Sequence, residues 1–173
     1  YLAADLIFGN LESSLSTYSE ESGAWSKCYR GDPLSVHQLK YVNFNAMNLA
    51  NNHMMQHGKK SFEDTKKVLL ENNIRFIENL ENDSIDNILI FREKGISIGF
   101  LGYYLKSDSD ECVNNIIKAV ERHHNSVDNL VLSLHWGEEN INYPSKKQEI
   151  VSKKLIDKGV DIIIGHHSHL VRS

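Results

Sequence analysis

The sequence lacks an excess of basic residues: Lys and Arg total 19 against 23 Asp and Glu, for a net charge of -4. A chain of that balance has no general basic surface to neutralise nucleic-acid phosphates or anionic lipid head groups, which argues against nucleic acid as a partner. Cysteine is equally scarce. Cys28 and Cys112 lie far apart with no CxxC spacing, so they make neither a disulfide framework nor a zinc-finger pattern, and read as ordinary thiols, with a single bridge as the alternative. No apolar run reaches the roughly 18 to 20 residues that span a bilayer, and no basic-apolar-small signal segment opens the chain. Tyr1-Leu-Ala-Ala-Asp-Leu-Ile-Phe8 reads instead as the interior of a domain, so a fragment of a longer chain is expected. Internal repeats, low-complexity tracts and interdomain linkers are also missing. What remains is 173 residues, 40% apolar and 24% charged, enough for the core of one domain spanning 1–173.

Short apolar runs bounded by Gly, Asn or Asp suit buried strands at 6–8, 46–49, 88–91, 96–103, 130–134 and 161–164. Helical spacing falls between them. Phe62, Thr65, Val68 and Leu69 share one side of 61–72, and Val113, Ile116, Ile117 and Val120 one side of 110–122. A third helix follows Pro144: Ser145 and Gln148 have capping-box spacing, Val151 and Leu155 repeat at i and i+4, and Gly159 ends it. This alternation predicts an α/β fold with much parallel pairing. Residues 88–103 break the rhythm and read as an antiparallel hairpin with Gly95 in the turn, so a mixed sheet is expected. Residues 13–32, without clear period, read as a flexible or functional excursion whose Trp25, Lys27 and Arg30 could face an anionic substrate.

Four polar clusters follow strand-like runs: Gly9-Asn-Leu-Glu12, Ala50-Asn-Asn-His53, His135-Trp-Gly-Glu138 and Gly165-His-His-Ser-His169. Open α/β sheets gather ligands outside the carboxyl ends of their strands, so such clusters can converge without a local motif. Imidazole, carboxylate and amide oxygen together suit zinc, manganese or iron. Plainer readings stand beside this one. An Asn after a strand is a turn former, Asn52-His53 fits a helix N-cap, His135 beside Trp136 fits a packed histidine, and residues 166–169 fit an exposed polar loop. His37, His57, His123 and His124 have no such context and read as exposed or helix-surface residues.

Asn10-Leu-Glu12, Asn48-Leu-Ala-Asn-Asn-His53 with Gly58, His135-Trp-Gly137, Pro144 with Gln148, and Lys158-Gly-Val-Asp-Ile-Ile-Ile-Gly-His-His-Ser-His169 occur in that order across nearly the whole chain. In this they resemble the bacterial capsule-synthesis CapA family, also called the poly-gamma-glutamate biosynthesis family. That family is similar in fold to calcineurin-like metallophosphoesterases, which implies a layered α/β sandwich, here expected to lack its N-terminal strand, and one or two divalent ions at the strand ends. The resemblance implies that Asn52 binds metal and that His53 stabilises or protonates the departing group. It also implies that His135, His167 and His169 are metal ligands and that Glu12 stands where a bridging carboxylate is usual. Asn10 and His166 would sit behind the ligands.

Two departures from the family pattern carry consequences. No strand ending in Gly-Asp precedes Tyr1, so a metal-binding Asp is expected to lie outside this chain, as is the N-terminal segment by which family members are often anchored at the cell surface. The donors present are then mostly neutral, with Glu12 the one carboxylate, against the four positive charges of two divalent ions. Gln56 stands where the family often has Asp, and a neutral amide cannot stabilise an imidazolium by charge. The resemblance implies a metal-dependent hydrolase-like protein of capsule or poly-gamma-glutamate biosynthesis, acting on an anionic polymer or a phosphoester. The alternative is a metal- or polymer-binding assembly component without turnover.

Overall fold

A computed structural model describes residues 4–79, 88–106 and 109–171. They divide into two compact units, Tyr1–Phe76 and Ile77–Ser173. Residues 1–3 of the apolar opening lie outside the described residues.

In the first unit β1 (Phe8–Asn10) pairs in parallel with β4 (Ala46–Asn48), Asn10 standing opposite Asn48. β5 (Arg75–Ile77) continues this sheet on the far side of β4. β1 therefore lies later than the apolar residues 6–8 suggest. Asn45 explains the shift, because its side chain takes the Ile7 amide at 2.6 Å before regular pairing starts. Residues 13–32 are more ordered than their composition predicts. They contain β2 (Ser14–Leu15), a 3-10 turn over Gly23–Lys27, and β3 (Arg30–Gly31), parallel to β2. The short α1 (Val36–Tyr41) follows. α2 (Gly58–Glu71) packs against β2 and ties it down with side chains: Thr65 Oγ1 accepts from the Leu15 amide at 2.9 Å, and Asp64 accepts from Ser16 Oγ at 2.7 Å. That last bond holds the Asp64 carboxyl below its ordinary pKa.

The second unit is a four-stranded mixed sheet in the order β6 (Leu89–Glu93), β7 (Ile96–Tyr104), β8 (Asn129–His135), β9 (Ile162–His166). β6 and β7 form the expected antiparallel hairpin, with Lys94 (φ 52) and Gly95 (φ 84) both left-handed, as a two-residue primed turn requires. β7, β8 and β9 run parallel. β8 is buried almost throughout, the pattern of a central parallel strand.

α3 (Asp110–His123) starts on a Ser109 cap. α4 (Lys146–Asp157) has the full capping box read from Ser145 and Gln148, with bonds of 3.1 and 2.9 Å. The two helices pack on each other, and their Val113, Ile116, Val120, Val151 and Leu155 join Leu101, Leu130, Leu132 and Leu134 of the sheet in one core. Both cysteines are free thiols. No helix among the described residues is long and apolar enough to cross a membrane.

Leu132 is fully buried, so Leu132→Ala should cost about 2–5 kcal/mol of unfolding free energy. Ser145→Ala, which removes the cap, should cost about 1 kcal/mol. Urea titration followed by circular dichroism checks both.

Candidate functional site

In the first unit the end of β1 and the end of β4 deliver a chain of side-chain amides. Asn48 and Asn51, both buried, donate from Nδ2 to Asn10 Oδ1 at 3.2 and 3.3 Å, and Asn10 Nδ2 donates in turn to Glu12 Oε2 at 3.1 Å. Asn10 is the last residue of a strand, not a turn former, and its carbonyl is already engaged. Its work is to hold the Glu12 carboxylate. Asn51 also accepts from the His53 amide at 3.2 Å, fixing the tight turns that follow β4.

Those turns, and not a helix cap, carry Asn52 and His53, since α2 starts later at Gly58. His53 is oriented at both ring nitrogens. Gln56 Oε1, an acceptor, lies 2.8 Å from Nδ1, so Nδ1 carries a proton and Nε2 of the neutral ring accepts from Asn52 Nδ2 at 3.1 Å. Glu12 Oε1 is 3.9 Å from the same Nε2. Tyr29 stacks on the imidazole with ring centroids 3.4 Å apart and planes 11° from parallel. With its amide turned to His53, Asn52 has its Oδ1 buried with no hydrogen-bond partner among the described residues. A buried carbonyl oxygen left in that state loses its hydration without replacement, at a cost of about 1–3 kcal/mol. A cation would satisfy it, and this atom fits the metal-ligand role.

His57 departs from expectation. It is fully buried, not exposed, and binds residues 13–32 at two points. The Cys28 carbonyl, an acceptor, lies 2.7 Å from Nε2, and Ser19 Oγ lies 2.8 Å from Nδ1. The histidine thus sets the backbone immediately before Tyr29. Arg30 is committed inside the same segment, donating to the carbonyls of Ser26 at 2.7 Å and Ser16 at 3.0 Å. Among the other three histidines with no site context, His37 is exposed as expected, while His123 and His124 are half-buried. The His123 Nε2 is buried, and desolvation lowers its pKa.

In the second unit β8 ends on His135 and β9 on His166, directly opposite in register. His135 is fully buried, with Tyr104 edge-on to its ring at 5.7 Å. Its Nε2 lies 3.1 Å from His167 Nδ1. His166 engages Ser133 Oγ at 3.0 Å, and burial lowers its pKa. His167 (φ 88) and His169 (φ 54) are both left-handed, a conformation sparsely populated by non-glycine residues, and their rings lie 6.3 Å apart. Glu139, beyond the cluster read at 135–138, lies beside both: its Oε1 is 4.0 Å from His167 Nδ1 and 3.9 Å from His169 Nε2. The donor atoms of Glu139, His167 and His169 all fall within 4.8 Å of one another, a group able to hold a metal ion. Nitrogen with carboxylate oxygen is a donor set for borderline first-row ions over calcium or magnesium.

The structure therefore brings Asn10, Glu12, Asn52 and His53 together in the first unit, and His135, His167 and His169 in the second. Tyr29 and Glu139 escaped the strand-end reading, while Gln56 entered only through the family resemblance and Asn51 only as a member of its cluster. Glu139 is the second of the two acidic residues that follow His135-Trp-Gly, one position past the cluster, and could have been found by extending that cluster by one residue.

The sequence pattern of the family described as bacterial capsule synthesis protein PGA_cap matches residues 2–173. The chain is 31% identical to the capsule biosynthesis protein CapA of Bacillus anthracis, over 98% of this chain and 46% of that one. It is 27% identical to the PGA biosynthesis protein CapA of Bacillus subtilis, over 99% and 49%. A probable polyglutamine synthesis accessory protein of Mycobacterium tuberculosis is 23% identical, over 96% and 50%. The chain thus spans about half the length of these curated relatives. In structure it is similar to a hypothetical protein from Thermus thermophilus, with TM-score 0.54 and 14% identity over 79% of this chain and 50% of that one, a likeness of fold alone.

His57→Ala should lower stability by about 1–3 kcal/mol, because it strips the Cys28 carbonyl of its partner. Hydrogen exchange should accelerate across residues 13–32 while α4 stays protected.

Proposed function

The chain belongs to the bacterial capsule synthesis family matched over residues 2–173, and from that premise we propose that it acts as a metal-dependent hydrolase of capsule or poly-gamma-glutamate biosynthesis. The observation that carries this reading is the 3.1 Å approach of His135 Nε2 to His167 Nδ1 beside the Glu139 carboxylate. Two ring nitrogens aimed at one another hydrogen-bond when one is protonated, and both become donors to a shared cation when neither is. The hydrogen-bond-free Asn52 Oδ1 supports the same chemistry in the first unit. The reading assigns metal ligation to Glu12 and Asn52 of the first unit and to His135, His167 and His169 of the second, within a single calcineurin-like domain.

Bound manganese, zinc or iron ions, two in the intact protein, would supply an activated water and polarise a phosphoryl or carbonyl oxygen. The residues of the chain do the rest. Gln56 keeps Nδ1 of His53 as a donor, so Nε2, now accepting from Asn52 Nδ2, is the atom that would exchange that bond for a proton and pass it to a departing group. Tyr29 holds the plane of that ring, and Asn10 holds Glu12 in one rotamer. Because Gln56 is neutral, an imidazolium at His53 gains no charge stabilisation from it, which suits modest turnover. The substrate class is an anionic polymer or a phosphoester, in keeping with relatives named for capsule and PGA biosynthesis.

Metal analysis of the purified full-length protein, with turnover assays on phosphoesters and gamma-glutamyl peptides, tests the proposal. Stoichiometric metal is expected, and His135→Ala and His169→Ala should each lose both metal and activity. His53→Ala should keep its metal and lose at least about 100-fold in kcat, the scale of a general acid. Bound metal with background turnover in the wild type would favour a binding component instead.

A further inference from the structure

The ligands assigned above leave the second unit's donors without any negative charge, since His135, His167 and His169 are all neutral when they bind a cation. A site built from imidazole alone on this unit would have nothing to offset even one divalent ion. Glu139 meets that need. We propose that Glu139 is a metal-ligating carboxylate acting with His167 and His169 on a divalent first-row cation. This rests on the metal-dependent reading given above and extends it by one ligand.

Geometry favours ligation over an ordinary ion pair. Glu139 Oε1 stands nearly equidistant from the two ring nitrogens, 4.0 Å from His167 Nδ1 and 3.9 Å from His169 Nε2. Both separations exceed the span of a hydrogen bond, so the carboxylate is not docked on either ring. Metal bonds of about 2.0–2.2 Å to nitrogen and oxygen put ligand atoms of one ion roughly 3 to 4 Å apart, which is the separation found here. His167 Nδ1 is also the nitrogen that faces His135 Nε2 at 3.1 Å, so the carboxylate and both other histidines address one region through it.

The backbone delivers Glu139 to this place. The Asn140 amide donates to the Ser168 carbonyl at 2.9 Å, and the Trp136 amide to the His166 carbonyl at 3.4 Å. Residues 136–140 are thereby laced to the turn that carries His167 and His169. Asn140 is itself left-handed (φ 59), closing the loop just past the carboxylate. Glu139 and His169 are about half exposed, at 48% and 44%, so the region is open to an ion and to a water or substrate oxygen.

Isothermal titration of the full-length apoprotein with zinc and with manganese, joined to the visible spectrum of the cobalt form, tests the assignment without any turnover assay. Glu139→Gln should weaken affinity at least about tenfold, the lower bound expected even for a partner outside the ligand shell, and should shift the cobalt bands. Glu139→Asp should recover part of the loss. His37→Ala, an exposed change away from the site, should titrate as the wild type. If His169→Ala weakens binding but Glu139→Gln matches the wild type in affinity and spectrum, the Glu139 assignment falls while the metal-dependent reading stands. If the wild type binds neither ion, both fall together.

Discussion

Register at the ends of parallel strands is the constraint on which the candidate chemistry rests. In the second unit the pairing of β8 with β9 sets His135 opposite His166, and the chain then turns at once through His167 and His169. In the first unit the pairing of β1 with β4 sets Asn10 opposite Asn48, and the Asn48 amide bonds to the Asn10 carbonyl across that pair. A slip of one residue in either pairing would turn these side chains to the other face of their sheet. The burial of β8 on both faces makes such a slip costly, because Leu130, Leu132 and Leu134 alternate with Val131 and Ser133 without an exposed position.

Much of the fold was legible because it rests on local signals. The hairpin at Gly95, the Ser145–Gln148 capping box and the apolar faces of α2 and α3 depend on residues within one or two turns of each other. The strand-end clusters were legible for the same reason, as each polar group follows its own apolar run. Mixed pairing and α/β alternation follow from them. What escaped depends on contacts between distant residues. β1 begins late because Asn45 captures the Ile7 amide, and no periodicity in residues 6–8 records that. Residues 13–32 looked structureless, yet Thr65, Asp64 and His57 order them from α2 and its start.

The two donor sets differ in kind. The first unit is rich in amides that hold one another, so that Asn48 and Asn51 direct their donors to Asn10, Asn10 directs its own to Glu12, and Asn52 keeps a bare oxygen. The second relies on imidazoles and one carboxylate carried on strained backbone. Residue type alone pointed to both. It could not say that Asn10 commits both ends of its amide to Asn48, Asn51 and Glu12, nor that Gln56 Oε1 faces Nδ1 of His53. Those contacts emerge only once the partner of each amide atom is known.

Gln148 serves two masters. Its side chain closes the capping box of α4 and also fills the space above Gly137, where a Cβ would collide with it. Gly137 is left-handed (φ 86), so glycine is favoured there for two separate reasons. The first turn of α4 and the loop leaving His135 are therefore one mechanical piece. A graft that exchanged this helix for another of equal length and better propensity, but without glutamine at its third position, would loosen the ground on which the histidine loop stands.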